Sequence, residues 1–230
     1  MNYPQPLIDA TLVRRWKRFL CEVRLADDTV VTAWCPNPGS MKTCFEAGAP
    51  CRISASDDPK RKLRWTLEQV RMGEAWVMVH PSRANDVVAH ALEAGRVPEL
   101  AGAGAIHRER RYGSSSRIDF LLEGEGRTWV EVKHVTLAAD GVAAFPDAVT
   151  TRGQKHLRDL MEIVADGHRA VLLFHVGRSD AETVRPAEEI DPTYAEILRE
   201  AVAAGVEVLP YRCEVEAERL VLGDRLPLVL

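Results

Sequence analysis

The spacing of apolar residues changes near residue 81, and this change constrains the fold more than any other feature of the chain. Before it, apolar and polar residues alternate in short runs such as residues 19–25 and 30–34, a pattern typical of half-buried strands. After it, segments with helical spacing are interspersed with strand-like runs. We therefore predict two domains, an all-β domain at residues 1–83 and an α/β domain at residues 84–230.

The strand-like runs of the N-terminal domain are short and are separated by residues that favour turns. Such residues occur at positions 36–39, 57–59 and 72–73, where Pro, Gly, Asn and Asp supply the backbone conformations that a turn needs. An all-β module of this size is consistent with an oligonucleotide-binding (OB) barrel.

The C-terminal domain alternates helices and strands. The predicted helices span residues 85–94, 151–166 and 193–204, and the predicted strands span residues 106–112, 117–122, 128–135, 170–174 and 206–209. The fourth of these strands is continuously apolar, as expected for a central strand covered on both faces. This order predicts an α/β core built on a mixed sheet.

Composition excludes several classes of protein. No stretch of the 230 residues approaches the length of a membrane span, and the first residues lack an apolar signal core. The five cysteines are odd in number and form no Cys-x-x-Cys pair, which argues against a disulfide framework or a zinc ribbon. We therefore expect a globular protein of the cytoplasm with no membrane partner.

The net charge of −4 is unevenly divided between the two predicted domains. Residues 1–83 carry 13 Lys and Arg against 9 Asp and Glu, a balance of +4, whereas residues 84–230 carry 17 against 25, a balance of −8. Cationic side chains provide most of the sequence-independent affinity for phosphates. We therefore expect the N-terminal domain to face nucleic acid, and the predicted partner is DNA, single-stranded and structured forms included.

Two consecutive strands of the C-terminal domain bring acidic and basic residues together. Asp119 lies in the first strand, and Glu131 and Lys133 lie on one side of the second, because side chains alternate along a strand. A tight turn at residues 124–126 joins the strands, so the hairpin can bring Asp119 opposite the other two. Mg²⁺ prefers carboxylate oxygens and usually keeps positions for water and phosphate. We predict that Asp119 and Glu131 hold Mg²⁺ or Mn²⁺ and that Lys133 supports phosphoryl chemistry beside them.

A polar cluster opens the helix that follows. Arg152, Gln154 and Lys155 come directly after the N-cap candidates Thr150 and Thr151. A helix N-terminus attracts phosphate through its free N–H groups, and these side chains would add donors. Cations at this end oppose the helix dipole, which indicates a role other than stability. We predict that Arg152 and Lys155 bind nucleic acid and that Gln154 joins the three charged residues in the catalytic set.

These patterns also have simpler interpretations. A Glu-x-Lys pair in a strand is commonly a solvated ion pair, and a charged first turn of a helix can simply be exposed. As further metal ligands, the first predicted helix offers only Asp86 and Glu93. Glu109, on the strand before Asp119, is another candidate, although an ion pair with the neighbouring Arg110 or Arg111 explains it more simply.

Basic residues accompany aromatic rings in two segments of the N-terminal domain. They are Arg14, Arg15, Lys17 and Arg18 around Trp16, and Lys60, Arg61 and Lys62 close to Trp65. Cations can hold a nucleic-acid backbone while rings stack on bases. The alternative is a solvated basic turn with both tryptophans in the barrel core. We predict that these cations, together with Arg117 of the C-terminal domain, bind nucleic acid.

Six stretches of the chain carry a family resemblance. They are RWKRFL (15–20), CPNPGSM (35–41), KRK (60–62), SRIDF (116–120), EVKHVTL (131–137) and FPDAVTTRGQKHL (145–157). Together they resemble the sugar fermentation stimulation protein A family. The Asp…Glu-x-Lys pattern also resembles the PD-(D/E)xK nuclease superfamily, although Ile118 rather than Pro precedes Asp119. The resemblance implies DNA binding, an OB-like barrel, a restriction-endonuclease-like second domain and a link to sugar (maltose) metabolism.

Three functions stay open at this point. The first is a Mg²⁺-dependent nuclease, and the second is a DNA-binding regulator that keeps the nuclease-like fold without turnover. The third is a sugar or metabolite enzyme, against which the chain lacks a Gly-rich phosphate-binding motif and a Ser or Cys nucleophile elbow.

Overall fold

The first six strands form a β-barrel in a computed structural model that describes residues 1–112 and 116–230. The strands are β1 (Ile8–Trp16), β2 (Leu20–Arg24), β3 (Val30–Trp34), β4 (Pro50–Ala55), β5 (Trp65–Met72) and β6 (Ala75–Met78). Their order is β3-β2-β1-β4-β5-β6, and a parallel pairing of β3 with β5 closes the sheet. The predicted barrel is confirmed.

Alternate side chains of these strands point inward and fill the barrel with a small apolar core. Leu12, Val23, Ile53 and Leu67 are almost completely buried there. Four of the five cysteines also lie in this core, and the fifth, Cys213, is buried in the second domain. All five are free thiols that pack as small apolar side chains.

The second part of the chain is an α/β domain. Its helices are α1 (Pro81–Glu93), α2 (Thr151–Ala165) and α3 (Pro192–Ala203), with a 3₁₀ turn at Pro98–Leu100. Its strands are β7 (Ala105–Tyr112), β8 (Ser116–Glu123), β9 (Arg127–Val135), β10 (Ala138–Ala139), β11 (Val142–Phe145), β12 (Arg169–Val176), β13 (Thr183–Pro186), β14 (Glu207–Val215) and β15 (Leu220–Arg225). None of the helices in this described part is long and apolar enough to cross a membrane.

The main sheet of this domain is mixed, as predicted. Its order is β15-β14-β12-β9-β8-β7, with parallel pairs in the centre and antiparallel pairs towards both edges. Helix α1 covers one face, while α2 and α3 cover the other. In β12, Leu172 and Phe174 pack on the side of α2 and α3, whereas Val171 and Leu173 pack on the side of α1. Burial on both faces explains its unbroken apolar sequence.

Some elements differ from the sequence prediction. Helix α1 begins at Pro81, with proline in the first turn, rather than at residue 85, so Arg83 lies inside it; proline is well suited to that position. Four short strands were not predicted, namely β10, β11, β13 and β15. β13 ends in Pro186 and β15 contains Gly223, residues that weaken the sequence signal of a strand.

Backbone hydrogen bonds join the barrel directly to the α/β domain. At the end of β6, Met78 N donates to Gly177 O at 2.7 Å, and Val77 forms a β-bridge with Arg178. The Arg178 side chain is buried and donates to the backbone oxygens of Thr43, from the barrel, and Thr136, from the second domain. The two domains therefore share one hydrogen-bond network.

Two histidines lie at this junction. His134 on β9 contacts Met78 O through Nε2 at 2.9 Å and His175 Nδ1 through Nδ1 at 3.2 Å. Burial lowers the pKa of His134 to about 4. Burial and the neighbouring His134 also hold the pKa of His175 well below its usual value. Both rings are therefore neutral at pH 7.

The low pKa of His134 predicts a loss of stability in acid. The unfolded chain takes up a proton near pH 6.5, whereas the folded chain does so only near pH 4, so stability falls as the pH falls through this interval. We expect His134→Gln, which keeps a donor for Met78 O, to reduce that loss by about 2 kcal/mol. Urea unfolding at pH 7 and pH 4.5 measures it. His90→Gln, at an exposed position, is the control and should keep the wild-type dependence of the free energy of unfolding on pH. If His134→Gln lost as much stability between pH 7 and pH 4.5 as the wild type, the prediction would be contradicted.

Candidate active site

Asp119 lies where the antiparallel ladder between β8 and β9 ends. The last paired residues are Phe120 and Val130. Beyond them, Val132 N donates to Asp119 Oδ2 at 2.8 Å, and Asn85 Nδ2 from α1 donates to Asp119 Oδ1 at 2.7 Å. The Asp119 carboxylate thus accepts a backbone N–H that the ladder leaves without a partner, and two hydrogen bonds fix its orientation.

Glu131 and Lys133 lie next to this point on β9, on the face covered by α2. Glu131 is 3% exposed, and its Oε1 accepts a hydrogen bond from Lys133 Nζ at 2.7 Å and a second, very short one from His156 Nδ1. Glu131 Oε2 is buried and has no hydrogen-bond partner within the described residues. One oxygen of this carboxylate is therefore held, and the other remains available to a ligand.

The pKa values of the two acids shift in opposite directions. Burial raises the pKa of Asp119, and the negative charge of Glu131 raises it further. Burial alone would also raise the pKa of Glu131, but the hydrogen bond from His156 and the charge of Lys133 outweigh it and lower that pKa. The charge of Glu131 thus opposes ionisation of Asp119, an effect that a bound cation would offset.

His156 supports Glu131 from helix α2. Arg152 Nε donates to His156 Nε2 at 3.3 Å, so this nitrogen accepts and Nδ1 carries the proton given to Glu131. Lys133 Nζ lies 3.0 Å from the same Nδ1; both atoms are donors, and Glu131 is the acceptor they share. A chain of contacts from Arg152 through His156 thereby holds Glu131 in place.

The residues present fit a divalent cation bound by few protein ligands. Within residues 1–112 and 116–230, no group of three or more His, Cys, Asp and Glu side chains forms a metal cluster. Asp119 and Glu131 supply two carboxylates, and the buried Glu131 Oε2 still needs a partner. Mg²⁺ is commonly bound by one or two carboxylates, with water and substrate phosphate in its other positions.

Gln154 is not placed with the other predicted catalytic residues. Its Nε2 donates to both oxygens of Asp191, at 3.0 and 3.2 Å, and none of its described hydrogen bonds reaches the acids. Asp191 is 1% exposed and caps α3 by accepting from Tyr194 N at 2.9 Å. The amide of Gln154 thus links the start of α2 to the start of α3, and its membership of the catalytic set stays a prediction.

The predicted cations of the second domain have different surroundings. Arg152 is exposed at the start of α2 and bonds only to His156 among the described residues. Lys155 forms an ion pair with Asp159 at 2.9 Å. Arg117 lies 3.1 Å from Glu109, so the partner of Glu109 is Arg117 rather than Arg110 or Arg111.

The predicted cations of the barrel fall into two groups. Arg14 pairs with Glu22 at 2.7 Å, and Arg15 donates to the backbone oxygens of Asn37, Gly39 and Ser40. These two therefore have structural partners. The more accessible cations are Lys17, Arg18, Lys60, Arg61 and Lys62. Trp16 and Trp65 are partly buried, each with an arginine over its ring.

The hairpin turn between β1 and β2 has an unfavourable backbone for its residues. Lys17 and Arg18 have φ angles of 47° and 65°, in the left-handed region that favours Gly and Asn. A sequence selected for stability alone would place Gly or Asn at these two positions. Two exposed cations at this turn therefore suggest a role for their side chains.

Replacing Lys17 with Asn separates stability from binding. Because Asn tolerates a positive φ better than Lys, we expect the free energy of unfolding to rise by about 0.5 kcal/mol. Loss of one phosphate contact should reduce the slope of log affinity for DNA against log salt concentration by about one. Fluorescence anisotropy at several salt concentrations measures it. Arg71→Ala, which removes another exposed barrel cation, one that pairs with Glu74, is the control; equal slopes for both variants would exclude a phosphate contact of Lys17.

Two site residues escaped the sequence analysis. Asn85 precedes Asp86, which was considered as an acid, but it is the Asn85 amide that reaches Asp119, while Asp86 pairs with Arg108 on the surface. His156 lies on the buried face of α2. It belongs to the stretch at residues 145–157 that carries the family resemblance, but its helical spacing with apolar residues of that face does not distinguish a core histidine from a site residue.

Comparison with known proteins decides the family. Residues 82–219 match the model described as the sugar fermentation stimulation protein RE domain, and residues 13–79 match the model of the SfsA N-terminal OB domain. The chain belongs to the SfsA family. An SfsA homolog of Geobacter sulfurreducens is 52% identical over 229 residues, covering 100% of this chain and 99% of that protein. One of Geobacter metallireducens is 53% identical over 232 residues, covering 100% of both.

A solved SfsA structure has the same architecture. The SfsA of Pyrococcus furiosus, determined in complex with Ca²⁺, is 27% identical and has a TM-score of 0.90, covering 100% of this chain and 98% of that one. The predicted resemblance to the SfsA family is confirmed. So is the predicted fold, an OB-like barrel followed by a restriction-endonuclease-like α/β domain with a mixed sheet.

Proposed function

We propose that this chain is a DNA-binding protein with a metal-dependent phosphodiesterase site, in which Asp119 and Glu131 hold Mg²⁺ or Mn²⁺. The observation that supports it most is the meeting of two carboxylates and the Lys133 ammonium where β8 and β9 separate. The P. furiosus relative was determined in complex with Ca²⁺. This supports the proposal that the present chain binds a divalent cation, because Ca²⁺ and Mg²⁺ both take oxygen ligands.

The chain's own residues supply orientation and charge for this chemistry. A bound divalent cation would lower the pKa of a coordinated water and offset charge on the scissile phosphate. Asp119 is oriented by Asn85 and by Val132 N–H, while Lys133 and His156 hold Glu131. An ammonium has three N–H donors, so Lys133 can donate to the attacking water or to a phosphate oxygen while it still bonds Glu131.

The barrel has the binding role in this proposal. Residues 1–83 carry the excess of cations and would hold the backbone of single-stranded or structured DNA, with residues 84–230 presenting the catalytic site. Phosphate contacts of this kind position a strand without reading its sequence. A cytoplasmic location and the link to sugar (maltose) metabolism suggested by the family name belong to the same proposal.

Cleavage assays test the catalytic part of the proposal. Purified protein is incubated with labelled single-stranded and duplex DNA and RNA in Mg²⁺, in Mn²⁺ and in EDTA. We expect cutting that needs the metal and disappears in Glu131→Gln. Calorimetric titration with Mn²⁺ should show binding that the same substitution removes. If neither metal-dependent cleavage nor Mn²⁺ binding were observed, the proposal that the protein is an enzyme would be rejected.

A second candidate is a DNA-binding regulator without turnover. It is favoured by the contacts of Glu131 Oε1, which is already occupied by Lys133 and His156, so a cation must compete with two donors. Salt-sensitive DNA binding without cleavage, unchanged in Asp119→Ala, would support the regulator over the enzyme.

A further inference from the structure

A cleft of about 440 Å³ lies between the barrel and the α/β domain, directly beside Lys133. One wall is the barrel loop at residues 37–39, and the other consists of residues 144–150, between β11 and α2. Residues 37–39 and 145–150 of these walls belong to the stretches that resemble the family. Neither Asp119 nor Glu131 lines the cleft, so it adjoins the candidate active site without being part of it.

The two walls are fixed to each other by a polar contact. Asp147 Oδ2 accepts from Ser40 N at 2.8 Å, and a Cβ atom on Gly39 would lie 2.1 Å from the same oxygen. Only glycine permits this approach. On the barrel side, Arg15 donates to Asn37 O at 2.9 Å and to Gly39 O at 3.1 Å. The cleft is therefore formed before any ligand binds, which lowers the entropy cost of binding.

The cleft combines positive charge with exposed apolar surface. Arg18, Lys133 and Arg152 line it. Most arginines in the described part of the chain pair with a carboxylate, as Arg14 does with Glu22, but Arg18 and Arg152 use only Nε, on Pro38 O and His156 respectively. Their terminal nitrogens have no described protein acceptor. Guanidinium groups held in this way are suited to bind phosphate.

The apolar part of the cleft is unusual for an exposed loop. Val149 is 68% exposed, and Phe145, Pro146 and the exposed Pro38 line the cleft with it. A cleft with apolar walls and cations matches the face and phosphate of one nucleotide. Its volume is in the range of roughly 300–1,000 Å³ that single small ligands occupy, whereas a duplex, whose major groove alone is roughly 12 Å wide, is too large for it.

We propose that this cleft binds one unstacked nucleotide of a single-stranded nucleic acid, with its base against Val149 and Pro38 and its phosphates on Arg18 and Arg152. This rests on the proposed function, since the occupied cleft would pass the adjoining phosphodiester towards Lys133 and the two acids. The barrel loop and the α/β domain then form one continuous binding surface for a single strand. Duplex DNA would enter the cleft only where its two strands have separated.

Binding measured in EDTA tests the cleft separately from catalysis. The probes are a labelled oligothymidylate of about 20 nucleotides, longer than the roughly 4–16 nucleotides that an OB fold covers, an oligouridylate of the same length, and a blunt duplex. We expect Val149→Asp to weaken binding of a single strand by about tenfold, because it places a carboxylate against base and phosphate. Duplex affinity should change by less than about twofold, since charge repulsion at one screened position is small.

Val30→Asp is the matched control, because Val30 is also exposed, at 46%, and lies at the end of β3 remote from the loop at residues 37–39. Equal effects of the two substitutions, or an unchanged single-strand affinity in Val149→Asp, would overturn the proposal. A selective loss with either single strand supports it, and the strand affected shows which of the two the cleft accepts.

Photocrosslinking gives a second, independent readout. An oligothymidylate carrying a single 4-thiothymidine should form adducts with peptides containing residues 37–39 or 144–150. Adducts confined to the barrel segment at residues 60–65 would overturn the proposal. Because no metal is present, these results stand whether or not the protein proves to cut DNA, and loss of cleavage in Glu131→Gln would not alter them.

Discussion

Glu131→Gln is expected to abolish metal-dependent cleavage, lowering kcat by about a thousandfold or more. The substitution keeps the shape of the side chain and removes the negative charge from a position that is 3% exposed. Metal catalysis provides several kcal/mol of transition-state stabilisation, and about 1.4 kcal/mol corresponds to a factor of ten. Steady-state cleavage in Mn²⁺ measures kcat, and calorimetry should show that Mn²⁺ affinity is lost as well.

Lys133→Met should separate metal binding from charge stabilisation in the transition state. Lys133 is not a metal ligand in the proposed arrangement, so Mn²⁺ affinity should persist while kcat falls by about a hundredfold, the usual cost of losing one donor to developing charge. Glu125→Gln, at the exposed turn between β8 and β9, is the control and should change neither quantity. A Glu131→Gln variant that cuts at the wild-type rate would show that the chemistry occurs elsewhere.

Asp191→Ala is expected to lower the free energy of unfolding by about 4 kcal/mol, the cost of leaving one buried and two partly buried donors without their acceptor. Asp191 is 1% exposed and accepts hydrogen bonds from Tyr194 N, Thr150 N and Gln154 Nε2. It thereby joins the starts of α2 and α3. Urea denaturation followed by circular dichroism measures the loss.

Asp224→Ala is the matched control for this stability measurement. Its side chain is 81% exposed and pairs with Arg212, so its removal should cost less than about 0.5 kcal/mol. If Asp191→Ala cost as little, the donors at the starts of the two helices would have found other acceptors, and the link between those helices would not depend on this carboxylate.

The part of the site that lies within one hairpin was predictable from sequence. Glu131 and Lys133 share a face because alternation along a strand depends only on neighbouring residues, and a tight turn sets the register that brings β8 alongside β9. The structure places Asp119 beside them through Val132 N. The strand order of the barrel was not predicted, although its turns and alternation were.

The contacts that cross between elements could not be predicted. Asn85 reaches Asp119 across 34 residues, and His156 reaches Glu131 across 25. These meetings depend on how α1 and α2 dock on opposite faces of the sheet, which no local pattern encodes. Gln154 illustrates the same limit, because its partner Asp191 lies 37 residues further along the chain. A single residue type in the first turn of a helix does not reveal which neighbouring element it will meet.

The backbone bonds between Met78 and Gly177, and between Val77 and Arg178, have a consequence for how such a protein can evolve. Separating the barrel from the α/β domain would leave the outer edge of β6 without these partners, and an open strand edge attracts other chains. The OB-like part is therefore not a module that recombination can transfer to another protein without exposing this edge. Insertions and losses should instead concentrate in exposed turns, such as the one at residues 124–126.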